Sequence, residues 1–158
     1  MNTYRAALIG CSRMGAFIDN ESPPGRPASS PAGGYEACPR TEMVACADLR
    51  EDLMEQVGIR YGVPKEKQYL DYREMIDAEK PDIVSVATQP QPRAQIVVHA
   101  AEHGVRAIYC EKAMAASLSD ADAMVEAVES NRVFLNMGTN WRWEIGYDTM
   151  KSVVDSGQ

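Results

Sequence analysis

No apolar run in this chain approaches the length of a membrane span, and its first residues lack the apolar core of a signal peptide. Cysteine is sparse. Cys11, Cys38, Cys46 and Cys110 are too scattered for a disulfide scaffold, and no C-x-x-C pair suggests zinc. A reducing cytoplasm is the expected compartment. Positive charge is short as well: 16 Lys and Arg against 23 Asp and Glu leave a net −7. That argues against nucleic acid or an anionic membrane as the main partner, since both would be repelled. Only two histidines are present, His99 and His103, so there are few imidazoles for acid–base work. No internal repeat is visible. What is there fits a globular domain: 45% apolar and 25% charged residues in 158, enough for one buried core and too few for two.

Short apolar runs alternate with amphipathic stretches almost to the end. The pattern predicts strands at Tyr4–Ile9, Met43–Ala47, Asp82–Ala87, Arg106–Cys110 and Val133–Met137, with a short one near Gln68–Leu70. The central runs show little polar alternation, which suits strands buried on both faces of a parallel sheet. Ala94, Val97, Val98 and Ala101 recur at helical spacing and stop at Gly104. Ala121, Met124, Val125 and Val128 repeat it, with Ser119 and Asp122 as a capping box. Leu53, Met54 and Val57 mark a helix ending near Gly62. Alternating strands and helices imply right-handed crossovers and a three-layer, Rossmann-type doubly wound α/β sheet of about six strands.

Residues 20–34, "NESPPGRPASSPAGG", break that rhythm with four prolines and three glycines. They are expected to form no regular element but a mobile surface loop, dispensable for folding, inserted after a short first helix. A lid over a cofactor is the functional rival.

The opening "ALIGCSRMG" carries the first chemical signal. An apolar strand runs into Gly10 and Gly15, with Ser12 where G-x-G-x-x-G has its middle glycine. Gly10 would supply the tight turn and Gly15 close helix packing, while Ser12 leaves room for a phosphate. Arg13 would add positive charge beside the anion, with Met14 next to it. Asp48, after the second strand, could grip the two ribose hydroxyls of NAD. It lies beyond the usual offset of roughly 20 residues, which is restored once the 15 of the insertion are subtracted. Arg50 keeps NADP open, because a guanidinium there could meet a 2′-phosphate. A turn that merely needs glycine, and an Asp that caps a helix, are the bland alternatives.

The fifth strand runs into "CEKA", so Glu111 and Lys112 stand at its carboxyl end, where open α/β sheets bind ligands. A lysine there could orient a substrate hydroxyl or share in moving its proton. With these residues the sequence resembles the Gfo/Idh/MocA oxidoreductase family. The likeness runs through "ALIGCSRMG", "VACADLREDL", "EKPDIVSVAT", "AAEHGVRAIYCEKAMA", "GTNWRW" and "MKSVVDSG". It implies a Rossmann domain binding NAD or NADP, with Lys112 as the active-site lysine of the family's E-K-P motif and Thr88 and Pro90 beside the cofactor. Arg142 would line the crevice, and Trp141 and Trp143 would pack.

Several positions depart from the family pattern. Ala113 replaces the proline after the lysine, Gln89 the proline after Thr88, and Arg93 a frequent histidine. The resemblance further implies that residues 1–145 form the dinucleotide-binding domain. Residues 146–158 would begin the connection to a second, substrate-binding domain that supplies the catalytic His and Asp. The expected function is the NAD(P)-binding half of an oxidoreductase acting on a sugar- or cyclitol-like alcohol, inactive as an isolated chain. A non-catalytic dinucleotide-binding or sensing module is the alternative, and a methyltransferase-like fold a third reading. The polyol or sugar substrate would be the principal partner, and a homo-oligomer remains open.

Overall fold

The computed structural model describes residues 3–23, 25–139 and 145–157. Six parallel strands form one sheet: β1 (Tyr4–Ile9), β2 (Thr41–Ala47), β3 (Gln68–Tyr69), β4 (Ile83–Val86), β5 (Ala107–Cys110) and β6 (Phe134–Met137). Their spatial order is β3-β2-β1-β4-β5-β6, the doubly wound order expected from the alternation of strands and helices. β1 takes its predicted bounds. β2 begins earlier, at Thr41, because its half-exposed start carries no hydrophobic signal.

The helices are α1 (Pro31–Ala37), α2 (Glu51–Tyr61), α3 (Tyr72–Glu79), α4 (Pro90–Glu102), α5 (Leu118–Ser130) and α6 (Ile145–Asp155). α2 ends on Gly62 in the left-handed region (φ +73°), where glycine alone is unstrained. α4 ends as its pattern predicts: His103 Nδ1 lies 2.7 Å from the His99 carbonyl, and Gly104 follows with φ +87°. The cap of α5 is a correction. Ser117, not Ser119, accepts from the Asp120 N–H, so the helix starts a turn earlier than the apolar spacing suggests. No helix among the described residues is long and apolar enough to cross a membrane.

The proline-rich insertion is the larger correction. After β1 the chain makes one π-type turn (Arg13–Phe17) and a 3₁₀ turn (Ile18–Glu21) instead of a regular first helix. Its second half then folds. Ser30 caps α1 by accepting from the Gly33 N–H, and Pro31 takes the first helical position, where its missing donor costs nothing. Asp19 holds the approach, accepting from the Ser29 and Ser30 backbones and from the Ser30 hydroxyl. Ser30, Ala32 and Gly33 are buried. A Cβ on Gly33 would sit 2.5 Å from the Asp19 carboxylate, so glycine serves contact here, not flexibility. Tyr35 then meets Ser85 of β4 at 2.5 Å, its phenol pushed by burial up to about 12. The stretch Pro23–Ser29 is exposed throughout its described residues. From Ser30 the segment turns inward, and its last residues form a helix with Ala32 and Gly33 buried, where no regular element was expected.

Val84, Val86, Ile96, Val97, Ile108 and Met124 centre the core on one face of the sheet, while Leu8, Cys46, Met54 and Val57 form its counterpart on the other. The four cysteines are free. One buried charge ties the edge together. Glu79, at the end of α3, accepts from Lys67 Nζ and the Tyr69 hydroxyl, both at 2.6 Å, and from Arg5 at 3.4 Å. Burial alone would raise its pKa; the Lys67 and Tyr69 hydrogen bonds and the Lys67 and Arg5 charges outweigh that and hold it below the ordinary 4.5. The carboxylate in turn pushes the Tyr69 phenol up to about 12, keeping it a donor.

A depressed carboxylate stabilises the fold above its unfolded pKa and loses that effect as pH falls through the lower folded value. Glu79→Gln is therefore expected to cost about 2 kcal/mol at neutral pH. The deficit should shrink steadily below pH 4.5 as the parent's carboxylate protonates. Urea titrations of both proteins across that range measure it; a deficit independent of pH would remove the ionic explanation.

Candidate functional site

The strand order reverses between β1 and β4, so the loops after them diverge and leave a crevice at the carboxyl end of the sheet. Hydrogen bonds fix each loop as it leaves its strand. Gly10 N–H donates to Ala47 O (2.9 Å), Ala87 N–H to Ile9 O (2.8 Å), Glu111 N–H to Val86 O (3.0 Å) and Gly138 N–H to Cys110 O (2.7 Å). Above β1, β2 and β4 lies a cleft of about 460 Å³, lined mainly by carbon. A cavity of about 570 Å³ at the opposite, amino end of the strands is lined by none of the candidate site residues. The chemistry therefore points to the first.

Gly10 turns with φ +94°, and a Cβ there would lie 2.8 Å from the Ala87 carbonyl carbon. A Cβ on Gly15 would lie 2.0 Å from the Gly10 oxygen. Both glycines are thus demanded by backbone packing, and the turn lies flat against β4. Cys11 is buried beside Cys46, whose thiol, with burial second, pushes the Cys11 thiol far above its ordinary pKa. It is a packing residue and not a nucleophile.

Asp48 closes the turn from the other side. One carboxylate oxygen accepts from the Cys11 N–H at 2.7 Å, the other from the Arg50 N–H at 2.9 Å. Two such bonds leave about two lone-pair directions free on an ionised carboxylate. That capacity matches a pair of neighbouring hydroxyls.

Of the residues singled out in the sequence, Gly10, Ser12, Asp48, Arg50 and Thr88 all line this cleft. Others stand elsewhere. Arg13 forms a two-pronged pair with Glu21 at 2.5 and 2.7 Å, so its charge is already matched beside the 3₁₀ turn. Arg50 pairs with Asp52 at 2.5 Å. Met14 and Gly15 lie behind the turn, and Pro90 opens α4 at its first position while its neighbours Gln89 and Pro92 do the lining. Arg142, with Trp141 and Trp143, lies outside the described residues.

Glu111 is buried and faces its own loop, accepting from the Tyr109 hydroxyl at 2.8 Å and the Lys112 N–H at 3.2 Å. Lys112 is exposed on the loop after β5, one strand over from the cleft. The Lys112–Ala113 peptide is cis.

Sequence reasoning missed two groups. Leu49, Leu53, Leu70 and Tyr72 form an apolar wall beside Asp48. Leu49 is 89% exposed, and a large apolar side chain left bare beside a strand end is the signal that could have been read. Arg93, set aside as a departure from the family pattern, is buried, and its guanidinium donates to the carbonyls of Thr88 and Ala113. It clamps the loops after β4 and β5 together. No spacing in the sequence announces such a contact.

The six-stranded parallel sheet and the glycine turn at its switch point define a Rossmann-type nucleotide-binding domain. Residues 4–139 match the Gfo/Idh/MocA "Oxidoreductase family, NAD-binding Rossmann fold". The chain belongs to that family. It is 34% identical over 141 residues to a D-apiose dehydrogenase of Paraburkholderia graminis, covering 89% of this chain and 33% of the relative. It is 30% identical over 115 residues to a myo-inositol 2-dehydrogenase of Thermotoga maritima, covering 73% of this chain and 34% of the relative. A crystal structure of an oxidoreductase from Agrobacterium radiobacter, in complex with NAD+, L-tartaric acid and magnesium, superposes with TM-score 0.80 at 29% identity, covering 99% of this chain and 41% of that one. The chain thus spans about a third to two fifths of the length of these relatives.

Proposed function

We propose that this chain binds NAD(H) as the cofactor-holding part of a dehydrogenase that oxidises a secondary alcohol of a polyol, sugar or cyclitol. The cleft carries the reading: a turn with no room for a side chain, an acid with spare acceptor capacity, and an apolar wall converge on one crevice. The Gly10–Ser12 turn would take the pyrophosphate, Asp48 the ribose hydroxyls, and Leu49, Leu53, Leu70 and Tyr72 the flat base. Arg50 already pairs with Asp52, so a 2′-phosphate would have to break an ion pair to reach it. NAD is favoured over NADP.

When bound, the nicotinamide supplies the hydride chemistry. The chain's own contribution is position. Glu111, held by Tyr109 and bonded to the Lys112 N–H, anchors the loop from which the Lys112 ammonium would hold the reacting hydroxyl. The names of the dehydrogenase relatives, apiose and inositol, support the substrate class.

A non-catalytic nucleotide-binding module is the second reading. It is favoured by the position of both histidines: His99 lies nine residues along α4 from its start at the cleft, about 14 Å at 1.5 Å per residue.

Calorimetry separates the contacts. The chain should bind NADH and show no heat with S-adenosylmethionine. Asp48→Ala should weaken NADH about tenfold and NADPH less, because a hydrogen-bonded diol is lost only from the former. Equal losses for both would mean that Asp48 acts only by holding the Cys11 N–H. An unchanged affinity would remove it from the site.

A further inference from the structure

His99 lies on α4 and His103, four residues on, caps its end, while α3 packs beside the helix. On α3, Asp77 comes to the same point. One ligand atom from each of Asp77, His99 and His103 lies within 4.8 Å of the other two. The imidazole rings stack, with centroids 3.7 Å apart and planes inclined by 21°. His99 Nε2 is buried and has no hydrogen-bond partner among the described residues. A proton on His103 Nδ1 would be donated to the His99 carbonyl at 2.7 Å. That tautomer leaves its Nε2 lone pair free, the outer hydrogen bond that commonly orients a metal-ligating histidine.

We propose that Asp77, His99 and His103 form a binding site for a divalent transition-metal ion, Zn²⁺ foremost. Two imidazoles and one carboxylate suit Zn²⁺, Cu²⁺ or Ni²⁺ and not Mg²⁺ or Ca²⁺, which take oxygen donors. Water would complete a tetrahedron. Tetrahedral donors at zinc distances stand about 3.4 Å apart. Closing from the present spread needs rotation of Asp77 and His103, both exposed, and His103 would have to leave its stacked position on His99.

The remaining charges facing His99 are Arg73, which opposes a cation, and Asp71, which favours one; they pair with each other at 3.6 Å. Burial, then His103, holds the His99 imidazole below its ordinary pKa, the neutral form a metal requires. Tyr72 meets the His99 ring edge-on at 5.7 Å and also lines the cleft, so the ion would sit one side chain away from it.

The test is titration of the whole chain with ZnCl₂ by calorimetry, and with CoCl₂ by absorbance, under reducing conditions. One ion per chain is expected, with a tetrahedral cobalt spectrum free of thiolate bands. His103→Ala and Asp77→Asn alter exposed side chains, so the fold should survive, as far-UV circular dichroism will verify. Each should weaken Zn²⁺ about tenfold or more, at least the scale that losing an outer contact produces. Absence of binding, binding indifferent to both variants, or a thiolate spectrum pointing to exposed Cys38 would overturn the site.

Discussion

Gly15→Ala is expected to lower the melting temperature by about 8 °C, from about 3 kcal/mol of overpacking in a domain of this size. It should also reduce NADH affinity about a hundredfold, beyond what the fold alone loses. The cause is local. The added methyl would meet the Gly10 carbonyl oxygen at 2.0 Å, and that oxygen is backbone and cannot swing aside. Relief requires the turn to lift from β4, which moves Gly10, Cys11 and Ser12 together and stretches the Cys11–Asp48 bond. Gly10→Ala should behave alike, adding the strain of a side chain at φ +94°.

The control is Gly34→Ala. It lies within α1, a Cβ there meets nothing within 4 Å, and it should stabilise by about 0.5 kcal/mol or more through helix propensity. Thermal melts and NADH calorimetry on the three variants decide the matter. If Gly15→Ala melts and binds like the parent, the turn has slack that the packing does not show.

Arg93→Ala should be the other large loss, about 3 kcal/mol and about 8 °C. It empties a buried volume and strips the carbonyls of Thr88 and Ala113 of their shared donor. The Thr88 loop borders the cleft, and the Ala113 loop carries Lys112. Loosening their clamp should therefore weaken NADH binding as well as stability. Arg93→Lys should recover only part of both, because a compact ammonium cannot span two carbonyls as a planar fork does. A full rescue by lysine would show that charge alone is needed there. An Arg93→Ala protein as stable as the parent would show that the two loops hold themselves.

Most of the sheet was legible because its strands are buried on both faces and so read as unbroken apolar runs. Ala6–Ile9 is the clearest case. Where burial is partial the signal fades, as at Thr41 and Glu42. The proline-rich segment misled for a different reason. Composition counts breakers, whereas "SSPAGG" places Ser30 and Pro31 in the cap and first-turn positions where they start a helix. Gly33, read as flexibility, is fixed by Asp19 against its face. Asp48 was found by its offset, yet its bond to the Cys11 N–H joins residues 37 positions apart and could not be.

The order of apolar runs, the glycines at 10 and 15 and the acid at 48 were set by the sequence alone. They are local: a strand's burial pattern, a turn's φ and an offset are properties of neighbouring residues. Which charges are free and which are spent was decided only by the tertiary structure. Arg13 is matched by Glu21 and Arg50 by Asp52, while Arg93 is drawn inside to two carbonyls. Asp77 meets His99 and His103 only where α3 lies beside α4. A long polar side chain takes whichever partner packing brings within reach, and that partner is fixed by how helices settle on the sheet.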